Sequence, residues 1–189
     1  MYAGESMQTY REWLGVRAFE ANLSLGGSFA SDRVEDYYVT PWDLGYGHIL
    51  KFDHDFIGRE ALERRKVEKH RRKAWHRDDV ARVFASQYEQ GDRRFKYIEM
   101  PAAFYAASHF DRVESNGRLV GLSTLCGYTA NVRGWMSVVM IDDDVRYGQQ
   151  VELVWGEPDG GSANPTVERH SQTTIRATVT RRPFAGDKG

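Results

Sequence analysis

The segment from Tyr37 to Glu63, YYVTPWDLGYGHILKFDHDFIGREALE, gathers the densest set of side chains that could do chemistry. Asp53, His54 and Asp55 stand in a row and raise two possibilities, metal ligation and acid–base catalysis. Successive residues of an extended chain face opposite sides, so the two carboxylates can share a face while His54 turns away. A metal site needs three or more converging ligands, which adjacency alone supplies poorly. Asp55 also stands where a cap would precede a helix starting near Ile57, and cap-and-turn is the preferred reading of the run. His48, His76, His109 and His170 are scattered, with no HxxxH pair, and each reads as a surface or hydrogen-bonded core residue. Ser108 beside His109 makes no triad, because neighbouring strand residues point apart. Gly26 and Gly27 in SLGGSF lack the GxGxxG spacing and the following helix of a dinucleotide loop. Spacing alone therefore builds no nucleophile, metal or nucleotide site.

The elements that must position these residues fall into two textures. ESMQTYREWLG predicts a short helix, with Met7, Tyr10 and Leu14 on one face and Gly15 as its stop. VRAFEANLSL and GHILKF predict strands, and DFIGREALE opens a helix with Ile57 and Ala61 facing inward. RDDVARVFASQYE predicts a helix whose acidic first turn suits the positive end of the helix dipole. The chain then turns to strands. Asn116-Gly117 is the dipeptide of a tight type I′ hairpin, and GWMSVVMID, QQVELVW and TTIRATVTRR follow between Gly-, Pro- and Asp-rich turns. Short strands broken at such intervals indicate an antiparallel barrel or sandwich. GEPDGGSANPT reads as a flexible tip.

The 189 residues fit one large domain or two small ones, with 41% hydrophobic and 28% charged residues as in ordinary soluble proteins. A formal charge of −1 produces no field toward nucleic acid or anionic membrane. The single cysteine, Cys126, excludes an intramolecular disulfide and a cysteine-based zinc site, and a reducing cytoplasm is the simplest location. No secretory pattern or transmembrane-length apolar run is present. The aromatic content of 13% suits a ring-binding pocket, though cores use the same residues. The basic run RRKVEKHRRK, Arg64 to Lys73, reads as a solvated helix end and connection; a nucleic-acid patch would want interleaved aromatics.

Resemblance carries the reading further. TPWDLGYGHILKFDHDFIGREAL, FEANLSL, GRLVGLSTLCGYTANVRGWMSVVMID, YGQQVELVWG and the closing RRPF resemble, in order, segments of the glycine-cleavage T-protein (aminomethyltransferase) superfamily. Within it, EANLSLGGSFASDRVEDYYVTPWDLGYG, KYIEMP and LVWGEPDGG are most similar to the tetrahydrofolate-dependent aryl O-demethylases of lignin aromatic catabolism. The resemblance implies an α+β chain. Residues 1–66 would be the C-terminal part of a folate-binding, aminomethyltransferase-like domain, and residues 67–189 an antiparallel β-barrel domain. It implies tetrahydrofolate as cofactor and a small methoxy-aromatic substrate of the vanillate, syringate or 3-O-methylgallate type, with no nucleic-acid or membrane partner.

Glu20 matches the family's pterin-binding glutamate, whose carboxylate accepts two adjacent N–H groups. Trp42 and Tyr46 match the turn and strand that line the cleft, where each would wall the pterin or the aryl ring or else pack in the core, and Lys51 lies near a basic residue that meets the folate carboxylates. Arg59 is read as structural. The reaction would be a displacement in which the folate N5 takes the methyl while an acid protonates the leaving phenolate. Tyr37, Tyr38 and Tyr46 are the candidate acids. Family members have a long portion ahead of the YAGES segment, including the catalytic Asp of the aminomethyltransferases. The chain is accordingly expected to be a C-terminal portion, inactive alone and completed by a separately encoded N-terminal half or by dimerisation. An aminomethyltransferase of the glycine-cleavage type and a non-catalytic remnant or interaction module are the alternatives. RRKAWHRDDV further implies a shortened barrel strand and an exposed sheet edge.

Overall fold

The computed structural model describes residues 8–14, 25–44, 46–65, 71–89, 94–100, 108–161 and 167–180. Glu20 and its FEAN strand, the centre of the basic run, the 66/67 boundary, residues 162–166 of the Gly-rich tip and the terminal RRPF lie outside these residues.

The second part is a closed antiparallel barrel of six strands. They are β2 (Arg71–Trp75), β4 (Asp111–Ser115), β5 (Arg118–Thr129), β6 (Gly134–Ile141), β7 (Gln150–Trp155) and β8 (Thr173–Thr180). Their order is β2-β6-β5-β4-β7-β8, and β8 returns to β2. Strict alternation decides which face turns inward: Val151, Leu153 and Trp155 of β7 and Ile175, Ala177 and Val179 of β8 are buried, while intervening residues face out. The rings of Trp75, Trp135 and Trp155 pack together, with centroids 5.7 Å apart for Trp75–Trp135 and 5.4 Å for Trp75–Trp155. Asn116 (φ 52°) and Gly117 (φ 75°) form the predicted left-handed turn between β4 and β5.

The expected exposed sheet edge is overturned. The end of the basic run, Arg71 to Lys73, opens β2, which bonds β6 on one side and β8 on the other. A five-residue strand suffices because closure gives both of its edges a partner. Helix α3 (Arg77–Ser86) follows as predicted and buries Val80 and Val83 against β8 and β6. Asp79 in its first turn accepts three hydrogen bonds from Arg176 of β8, through the backbone N–H (2.8 Å), Nε (2.9 Å) and Nη2 (2.8 Å).

The first part is less regular. Helix α1 spans Gln8–Leu14, 3-10 turns span Val34–Tyr37 and Tyr46–Ile49, and helix α2 spans Arg59–Arg64. The predicted GHILKF strand is instead a 3-10 turn followed by irregular chain. Gly47 lies so close to the Trp42 ring that a Cβ there would collide, and the Tyr46 N–H bonds back to the Pro41 carbonyl (2.8 Å). That tight fold-back replaces an extended course. Strand β1 is only Leu25–Gly26 and runs parallel to β3 (Ser108–His109), tying the first part to the barrel. No helix among the described residues is long and apolar enough to cross a membrane.

Candidate functional site

The Thr40–Leu44 turn is set by Asp43, whose Oδ2 accepts the Thr40 N–H (2.7 Å) and hydroxyl (2.6 Å). This turn places Trp42 inward, where it is 3% exposed and donates Nε1–H to the Leu62 carbonyl of α2 (3.1 Å). Its ring stacks on Phe52 at 6.2 Å and 7°, and the series continues to Phe56 at 5.9 Å and His54 at 5.6 Å. With Phe52 and Gly47 against it, Trp42 supports the segment from beneath.

On the outside, Tyr38, Tyr46 and Lys51 are exposed, as are Val39, Leu44, Ile49 and Ile57. Tyr37 is different: it is half-buried, its hydroxyl accepts the Ser31 N–H (2.8 Å), and its ring packs edge-on against Phe29 and Phe110, each at 5.2 Å. The three candidate acids thus divide into two solvent-facing phenols and one built into the seam with the barrel.

The Asp53–His54–Asp55 run is held by local pairs. His54 Nδ1 lies 2.9 Å from Asp53, and Asp55 accepts from Arg59 (3.1 Å), which also bonds Glu63 (3.1 Å) and the His54 carbonyl (3.2 Å). Asp55 is not the cap of α2; that position is Gly58, at φ 90°. A shallow cleft of about 440 Å³ opens here, edged by Asp55, Phe56, Gly58, Arg59 and Arg64. Among the described residues no group of three or more His, Cys, Asp or Glu is placed to hold a metal ion.

Sequence reasoning missed several buried polar groups, which lie where the first part meets the barrel and inside the barrel itself. Glu157, in the segment read as a flexible tip, is buried. Its Oε1 accepts from Lys96 Nζ (2.6 Å) and from the Gly27 N–H (3.0 Å), and its Oε2 lies 3.1 Å from His170 Nε2. Burial opposes its ionisation, but Lys96 and the Gly27 N–H hold its carboxyl well below the usual carboxylate range. His170 donates through Nδ1 to the Glu168 carbonyl (2.7 Å) and accepts the Glu157 N–H at Nε2 (2.9 Å). Nearby, Asp111 accepts the Ser28 N–H (3.1 Å) and pairs with His109 Nε2 (2.6 Å). Both histidines were readable as hydrogen-bonded core; their partners, remote along the chain or masked by a polar context, were not.

Inside the barrel lies Lys73, 0% exposed, with no hydrogen-bond partner for Nζ among the described residues. Burial pushes its ammonium down to about 7, against the opposing pull of Asp111 and Cys126.

Comparison with known proteins adds a direction. The chain is 43% identical over 186 residues to syringate O-demethylase of a Sphingobium species, covering 96% of this chain. It is 33% identical over 171 residues to sesamin methylene transferase of a Sinomonas species, covering 84% of this chain. The chain spans 40% and 35% of the lengths of these two relatives. No protein-family model matches it.

Proposed function

We propose that the chain is the C-terminal portion of a tetrahydrofolate-dependent methyltransferase that takes a methyl group from an aryl methyl ether. The observation that carries this reading is the 43% identity to a syringate O-demethylase, sustained over 96% of the chain. The second relative, named for methylene transfer, agrees with one-carbon transfer as the common chemistry. The chain spans 40% of the first relative's length, so the proposed activity is that of a larger catalytic unit to which these residues contribute.

The described residues suit one wall of a folate cleft. Lys51 is exposed and cationic, as binding the folate's carboxylates requires. Tyr46 and Tyr38 expose phenols that can donate a proton. Trp42 has its ring enclosed by Phe52 and Gly47, and so contributes by stiffening this wall. Glu20 would anchor the pterin edge. When bound, tetrahydrofolate supplies the amine that accepts the methyl group. The protein's own work is to orient the aryl ether, to exclude water and to deliver a proton to the leaving phenolate oxygen. Tyr46 and Tyr38 are better candidate acids than Tyr37, whose ring is packed into the seam against Phe29 and Phe110.

The test is titration of the folded chain with tetrahydrofolate, by calorimetry or tryptophan quenching, beside Glu20→Ala. Saturable binding, at least about tenfold weaker in the variant as befits loss of a bidentate charged pair, is the expected result. Absence of binding by a chain shown to be folded would favour the non-catalytic alternative.

A further inference from the structure

We propose that Lys73 and Cys126 form a peroxide-responsive covalent crosslink inside the barrel, the lysine nitrogen bonding to the cysteine sulfur. The inference is independent of the folate reading and rests on strand register. Residues directly opposite in an antiparallel ladder project to the same face. Ser137 of β6 is opposite Lys73 of β2 on one side and opposite Cys126 of β5 on the other. All three side chains are buried, and Ser137 also accepts from Trp75 Nε1 (3.0 Å).

Cys126 reaches that face only through an irregularity. Ser123 faces inward opposite Val139, so uninterrupted alternation would next bring residue 125 inward and turn 126 out. The register slips between Thr124 and Cys126, and Leu125 is the extra residue, exposed and left-handed at φ 38°. A branched side chain at positive φ is strained, and such bulges re-aim the residues beside them. The bulge brings Cys126 onto the inward face that Lys73 also occupies. On its side, Lys73 presents a fully buried amine with no hydrogen-bond partner among the described residues. The other titratable groups facing it are Asp111 and, paired to that carboxylate, His109. Burial brings the amine into its neutral, nucleophilic form near neutral pH.

The chemistry balances with a peroxide as the oxidant. The Cys126 thiol gives up its proton as its sulfur attacks one peroxide oxygen; the S–O bond forms, the O–O bond breaks, and the departing hydroxide takes up that proton and leaves as water. The neutral Lys73 nitrogen then attacks the sulfenyl sulfur. An N–S bond forms, the S–O bond breaks, and hydroxide takes the nitrogen's proton and leaves as a second water. Sulfur is oxidised, the peroxide is reduced, and the chain loses two hydrogens. Attack by an external thiol on sulfur reverses the bond. The product would staple β2 to β5 across β6.

The experiment treats the intact chain with hydrogen peroxide, then denatures it in an alkylating reagent and analyses it by mass spectrometry before and after dithiothreitol. The expected result is loss of the alkylatable thiol, a mass lower by two hydrogens, and a Lys73–Cys126 crosslinked peptide that dithiothreitol releases. Lys73→Met should instead leave Cys126 carrying added oxygen. Cys126 that gains oxygen in the wild-type chain while Lys73 stays unmodified would overturn the proposal. So would a thiol that remains alkylatable, or a disulfide between two chains.

Discussion

At the scale of the residue, the dominant feature is charge carried into places that water does not reach. Glu157 and Lys96 answer one another at 2.6 Å, and the carboxylate takes a further N–H from Gly27. Lys73 has no such answer among the described residues, and its burial displaces its titration. A lysine free in solution titrates near 10.5, and burial lowers Lys73 to about 7 in the folded chain. Between these values the unfolded chain binds the extra proton, so stability rises with pH from about 7 toward 10.5. Lys73→Met fills a similar volume without a charge. It is expected to gain about 1–4 kcal/mol at neutral pH, as replacing buried charge by apolar packing often does. It should also flatten that rise. Urea unfolding of both chains across the alkaline range checks this, and an equal rise in the variant would refute the assignment to Lys73.

At the scale of the element, alternation and turn chemistry carry most of the information. The Asn116-Gly117 hairpin, α3 and strands β6 to β8 were legible because their periods and turn residues act locally. GHILKF misled because a close contact between Gly47 and the Trp42 ring overrides the local strand preference. The run ending at Lys73 misled in the opposite direction: its charges disguised a barrel strand whose inward residue is itself a lysine. The join between α3 and β8 yields a second prediction. Arg176 holds the Asp79 carboxyl down to about 2 from an ordinary 3.8. A lowered carboxylate stabilises fully above the unfolded value and loses its contribution as pH falls through 3.8 toward 2. Asp79→Asn should therefore cost about 1–3 kcal/mol at neutral pH, the usual worth of hydrogen bonds to a charged group, and remove that part of the acid transition. Acid unfolding followed by circular dichroism reads both.

At the scale of the whole molecule, the two parts meet through backbone and buried carboxylates. Gly26 accepts the Phe110 N–H (2.9 Å), Phe29 donates to the Phe110 carbonyl (3.1 Å), and Asp111 and Glu157 take the N–H groups of Ser28 and Gly27. Gly27 sits at φ 102° with its Cα directly against the Phe110 carbonyl, a place that admits no Cβ. Gly27→Ala is expected to weaken this seam by about 2 kcal/mol or more, through both backbone strain and collision. Amide exchange at Phe29 and Phe110 should then accelerate by about thirty-fold, the factor that this energy represents, while amides of β8 keep their protection. Uniform acceleration throughout the barrel would show instead that the seam is inseparable from the core.

The sequence by itself determined the strand-rich second part, its hairpin and its helix, together with a resemblance to one-carbon transfer enzymes, because alternation, turn dipeptides and ordered motifs are written in neighbouring residues. It also named Trp42, Tyr37, Tyr38, Tyr46 and Lys51, but not which of them would be enclosed and which exposed. Only the tertiary structure decided that, along with the closure of the barrel through β2 and the burial of Glu157 and Lys73. The physical reason is range. A side chain's exposure and its charge partners depend on segments far away in the chain: 61 residues separate Lys96 from Glu157, and 130 separate Gly27 from the same carboxylate.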